Sequence, residues 1–147
     1  MKKFLSLLCV LILSFALFSC SEKKSESDPA DIANPISITI SFSDSENDQV
    51  ESEGFEPIEN MEFTVEEGTS VLDATQLYCV ANELEINIDP AEGYIKGMLG
   101  LNQGDLAETT GWIYTINGES VMVGANEQIL KDGDKISWEF VDFSTYQ

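Results

Sequence analysis

Residues 111–140 read GWIYTINGESVMVGANEQILKDGDKISWEF, and the punctuation of this stretch decides the fold. In GWIYTIN, an extended chain places Trp112, Tyr114 and Ile116 on one face and Ile113 and Thr115 on the other, the period-2 signature of a strand. Asn117-Gly118 ends the run with the strongest short hairpin signal, because both central residues of a type I′ turn need positive φ. SVMVGA is expected to return as the partner strand. Lys131-Asp132-Gly133-Asp134 is a second turn, and DKISWEFVDF is a closing strand with Ile136, Trp138 and Phe140 on one face. At least one of the two aromatic sets must be core, and aromatic residues at period 2 are more often packing than ligand contacts. Trp138 and Trp112 are both expected to pack. Gly111 keeps a ligand reading of Trp112 open, since a glycine at a strand start permits a bend or the close approach of another group.

Upstream, ISITISFS (36–43) alternates without a miss, and MEFTVEEG (61–68) places Met61, Phe63 and Val65 in alternation, so the two form a hairpin. Ser70 and Asp73 make a capping box at the start of TSVLDATQLYCVANELEI, where Val71, Ala74, Leu77 or Tyr78, and Ala81 recur at helical spacing. A single helix is expected over about residues 70–83, with Cys79 as a small residue in or at the edge of the core. EINIDP and YIKGMLGL read as short strands, and NQGDLAETTG as a loop. This order predicts an α+β domain: a β-grasp-like mixed or antiparallel sheet of short strands with one packed helix. A small sandwich and an open barrel with one helix are the alternatives.

The chain opens with Met1, Lys2 and Lys3 before the apolar run FLSLLCVLILSFALF, a basic n-region and an h-region too short to span a bilayer. Residues 1–19 are read as a signal peptide. Leu17, Ser19 and Cys20 resemble the lipobox of bacterial lipoproteins, with Phe18 standing where a small residue is usual. That resemblance implies a lipid-modified Cys20 that anchors the protein to a membrane, and places it in the bacterial cell envelope, on the outer membrane or cell surface if there are two membranes. Residues 20–35 form the lipidated cysteine and a flexible polar stalk, and residues 36–147 the domain. Cys9 leaves with the signal, so Cys79 alone remains in the domain and no internal disulfide is expected.

Acidic residues number 27 against seven lysines, with no arginine or histidine, and the net charge is −20. Nucleic acid is excluded as a partner. Ten carboxylates between Asp44 and Glu67, with no lysine among them, read as a solvated surface. DSENDQVESEG (44–54) fails the calcium-loop template, with Gln49 at the glycine position and Phe55 at the bidentate glutamate. Without histidine there is no imidazole base and no histidine-ligated zinc, a lone cysteine makes no thiolate cage, and no carboxylate pair is singled out. A non-enzymatic chain without a metal centre is expected.

GTSVLDATQ, GWIYTINGE and GANEQILKDGDKISWEF resemble the transcobalamin-like C-terminal domain, which recurs as a domain of unknown function in bacterial surface proteins and lipoproteins. Val71 to Ala74, Gly111, Trp112, Tyr114, Asn117, Gly118, Gly124, Ala125, Leu130 to Asp134, Ile136 and Trp138 carry it. In the vitamin B12 carriers of that family the domain is a lid over cobalamin held against a helical domain. The resemblance therefore implies a ligand-facing role for one end of the sheet, with cobalamin or a related molecule as ligand. Only a stalk of about fifteen residues precedes the domain, so a separate protein is expected to supply the other wall. Gly111, Trp112 and Tyr114, with Thr110, Asn102 and Gln103 from the preceding loop, are the candidate ligand-binding residues. The alternative is an adhesion or envelope module that binds a protein or polymer and takes no small ligand.

Overall fold

The computed structural model describes residues 32–44 and 55–145. The signal segment, Cys20, the stalk through residue 31 and most of the acidic loop, 45–54, lie outside the described residues, and Pro35, placed in the stalk from sequence, already belongs to the first strand.

Strand β1 (Pro35–Asp44) is the run ISITISFS, and its alternation is realised side chain by side chain: Ile36, Ile38, Ile40 and Phe42 are buried while the serines and Thr39 face outward. It pairs antiparallel with β2 (Ile58–Glu66). Helix α1 (Val71–Ala81) follows, slightly shorter than the sequence suggested. A three-stranded antiparallel sheet comes next, of β3 (Ile86–Asp89), β4 (Tyr94–Met98) and β5 (Leu101–Asn102). The chain returns to the main sheet with β6 (Thr110–Ile116), the two-residue β7 (Glu119–Ser120) and β8 (Lys135–Asp142), and closes in a 3-10 turn, Phe143–Thr145.

The main sheet has the order β2-β1-β8-β6-β7, with β1 and β8 parallel at its centre and the other pairings antiparallel. A parallel pair cannot be joined by a tight turn; here everything from β2 to β7, the helix included, lies between them. This is the α+β, β-grasp-like arrangement expected, with a second small sheet in addition.

Register puts the apolar residues on one face. Ile40 is opposite Ile136 and Phe42 opposite Trp138, while Trp112 is opposite Phe140, Tyr114 opposite Trp138 and Ile116 opposite Ile136. Both aromatic sets are thus core, and α1 lies over them through Val71, Leu72, Ala74, Thr75, Tyr78 and Cys79. Of the two candidates for the middle of the helical stripe, Tyr78 is buried and Leu77 exposed. Burying large apolar side chains such as Phe42, Phe140, Ile40 and Ile136 contributes about 1.5–3 kcal/mol each.

The capping box is present: the Ser70 hydroxyl accepts from the Asp73 amide at 3.1 Å and donates to the Asp73 carboxylate at 2.7 Å. The next donors of the helix start find tertiary partners, Val71 N–H on the Gln128 carbonyl and Leu72 N–H on the Ala125 carbonyl, both at 2.9 Å. This corrects the reading of SVMVGA as a strand. Only Glu119 and Ser120 pair with β6, and residues 121–134 run as an irregular connection, with turns at 125–127 and 132–133, whose Ala125 and Gln128 carbonyls cap the helix, satisfying donors that a helix leaves open. YIKGMLGL is likewise two strands, broken at Leu99-Gly100, both with positive φ.

Candidate functional site

Asn117 and Gly118 have φ of 55° and 80°, as a type I′ turn requires. Asn117 also ties this turn to the next one. Its amide nitrogen donates to Asp134 Oδ1 at 2.9 Å, and its side-chain oxygen accepts from the Lys135 amide at 3.0 Å. The Lys131–Asp134 turn in turn docks on β1: Ser37 N–H donates to Asp132 Oδ1, Gly133 N–H to the Ser37 carbonyl and Thr39 N–H to the Asp134 carbonyl. This end of the sheet is structural.

At the other end, Trp112 is buried and its Nε1–H donates to the Leu101 carbonyl at 3.0 Å, fastening β5 over the end of β6. Its ring meets Phe42 and Phe140 edge-on and Phe55 at a tilt, with centroids 6.5, 5.3 and 6.1 Å away. Trp138 is anchored in the same way, with Nε1–H donating to Thr75 Oγ1 at 2.9 Å, and Tyr114 lies on it with centroids 5.2 Å apart. The Tyr114 hydroxyl donates to the Val123 carbonyl at 2.7 Å, holding the 121–126 segment beside β6.

These anchors leave a groove of about 280 Å³ between β4, β6 and the 121–126 segment. Tyr94 and Ile95 of β4 form one wall, Trp112, Ile113 and Tyr114 of β6 with Trp138 of β8 the floor, and Val121, Gly124, Ala125 and Asn126 the other wall; Glu92 stands at the mouth. Burial pushes the Tyr114 hydroxyl above its ordinary pKa, helped by the negative charge of Glu127. Tyr94 is raised by burial too, with Lys96 opposing and Glu92 adding to the rise. Both phenols are neutral lining groups at physiological pH.

Of the candidates named from sequence, Trp112 and Tyr114 line the groove. Gln103 stands behind its wall, accepting from the Tyr94 hydroxyl at 2.5 Å. Asn102 does not reach it: its backbone and side-chain amides both go to Asp105 Oδ2. Thr110 is buried and bonds the Ala107 carbonyl at 2.8 Å. Gly111 is bare for an internal reason, since a Cβ there would lie 2.9 Å from Cε2 of Phe143, so the close approach is by the chain's own ring. Sequence reasoning missed Tyr94, Trp138 as a groove residue, and the 121–126 wall. The hydrophobic end of YIKGM was the available signal for Tyr94; the wall has none, because tertiary capping places it. Among the described residues no cluster of three or more acidic or cysteine side chains is placed to hold a metal, and no helix is long and apolar enough to cross a membrane.

A family model described as a domain of unknown function (DUF4430) matches residues 68–142, from the turn before α1 to the end of β8, and the chain belongs to this family. Among solved structures, haptocorrin in complex with Cbi matches with a TM-score of 0.57 at 18% identity over 76% of this chain. The chain spans only 26% of that protein. The transcobalamin-like resemblance read from the sequence motifs is thus matched in the fold. A protein with a suggested metal-binding role from Ruminococcus gnavus ATCC 29149 matches at 16% identity, with a TM-score of 0.43, over 74% of this chain and 97% of its own. No curated protein sequence matches the chain.

Proposed function

We propose that this chain is a non-catalytic ligand-binding module, held on a membrane of the bacterial cell envelope by a lipid on Cys20, which presents the groove between β4 and β6 to a small molecule. The observation that carries this reading is the groove itself: an open, mostly apolar concavity lined by two anchored tryptophans and two tyrosines. Such surfaces combine rigid aromatic area with few polar groups, the usual composition of small-molecule sites.

Cobalamin or a related molecule is the ligand that the family resemblance suggests. At about 280 Å³ the groove falls just below the roughly 300 Å³ at which pockets begin to enclose drug-sized ligands, so it takes one edge of so large a molecule. A partner protein would then cover the remainder, and the exposed Met122 and Val123 beside the groove offer it an apolar foothold. The same two residues favour the second reading, a protein-interaction module with no small ligand.

Titration of the full-length protein in non-ionic detergent with cobalamin, followed by tryptophan fluorescence and visible absorbance, tests the first reading. A saturable change below about 1 mM supports direct binding. No response up to that concentration removes cobalamin as a ligand of this chain alone.

A further inference from the structure

The groove has a charge preference as well as a shape. Among the described residues, four that line it are aromatic, Tyr94, Trp112, Tyr114 and Trp138, the lining carboxylate is Glu92, and no lysine lines it. Lys96, on the same strand as Tyr94, is tied to Asp89 at 2.6 Å. Both phenolic hydroxyls already donate within the chain, Tyr94 to Gln103 and Tyr114 to the Val123 carbonyl, so neither O–H is spare to recognise an anion. The whole chain carries −20. Aromatic faces attract cations through the ring quadrupole, and a field of this sign concentrates cations at such a mouth.

From this arrangement we infer that the groove is an organic-cation site, selecting a ligand group of the trialkylammonium class, held against Tyr94, Tyr114 and the tryptophan floor with Glu92 as counter-charge. The inference rests on the reading of the groove as a ligand site and adds the chemistry of the group that enters it. A trialkylammonium head matches what the walls offer: an apolar surface of methyl groups that asks for no hydrogen bonds, and a charge that the rings and Glu92 stabilise. A carboxylate or phosphate would meet Glu92 with no lysine among the described lining residues to offset it, only the neutral amide of Asn126.

The probes are choline and 3,3-dimethyl-1-butanol, which has the same shape with carbon in place of the charged nitrogen. Both are titrated into the full-length protein in non-ionic detergent, with tryptophan fluorescence and calorimetry as readouts. Choline is expected to bind at least about tenfold more tightly than its neutral counterpart. Glu92→Gln, an exposed substitution, should weaken choline about threefold and leave the neutral probe unchanged; Tyr94→Leu should weaken choline more. Equal affinity for the two probes, or no saturable response to choline, overturns the inference. Cobalamin run beside them separates the two readings: a cobalamin response with equal binding of the probes overturns cation selectivity and leaves the ligand site standing. Choline selectivity without a cobalamin response upholds the inference and removes cobalamin as the ligand.

Discussion

Gly111 shows how one residue can be read as special from sequence while the group that approaches it is named only by the fold. A glycine before Trp112 signals that something comes close, and what comes close is Phe143, whose ring fills the place of a side chain. Gly111→Ala is therefore expected to cost about 1 kcal/mol, the low end for overpacking because the ring that must give way is exposed, read from the urea midpoint. Since Phe143 is partly exposed, Phe143→Leu in the same chain should restore most of the loss. If Gly111→Ala is neutral, the close packing of Phe143 is not what constrains this position. Trp112 and Trp138 carry a different lesson. Each was legible as packing from its period, but their indole N–H groups fix the Leu101 carbonyl and Thr75, and no local pattern foretells such partners.

At the scale of elements, β1, α1, β6 and β8 were legible because each buries one face and so carries its own periodicity, and β2 was legible from its alternation although only Val65 of that set is buried and Met61 is exposed. The helix start was legible down to its cap. Ser70→Ala should lose about 1 kcal/mol, within a range of about 0.5–2, in chemical or thermal unfolding, because the Asp73 amide loses its acceptor. A loss below that range would mean that the carbonyls of Ala125 and Gln128 alone hold the helix start. The failures lie where pairing is decided at a distance. SVMVGA has strand composition, yet the donors of α1 claim the carbonyl of Ala125 at its end and that of Gln128 beyond it, and Met122 is almost fully exposed. The break between β4 and β5 was hidden because Leu99 is not a turn residue and nonetheless takes positive φ.

At the scale of the whole molecule, the core is a sandwich of the five-stranded sheet, α1 and the small sheet, and Cys79 and Tyr78 are sealed within it. Burial pushes the Cys79 thiol up to about 11 from an ordinary value near 9, and raises Tyr78 as well. A group whose folded pKa is raised contributes stability that is whole below its unfolded pKa and is lost as pH climbs through the folded one. Stability should therefore fall between about pH 9 and pH 11, with a slope of at most about 1.4 kcal/mol per pH unit from this one thiol. In Cys79→Ala the decline should begin nearer pH 10, where Tyr78 starts to contribute. Urea midpoints measured from pH 8 to 11 check this; an unchanged onset in the variant would mean that Cys79 is not sealed in the folded core.

The sequence by itself determined which faces are apolar, where the helix begins and where the Asn117-Gly118 turn falls, since these follow from alternation, capping and φ preference among neighbours in the chain. The tertiary structure decided the parallel β1–β8 pairing, the path of residues 121–134 and the groove. The reason is that a hydrogen-bond donor or a ring face can be satisfied by any partner the fold brings near. Tyr94 meets Trp112, Tyr114 and Trp138 around one cavity only because the small sheet is fastened across the end of β6.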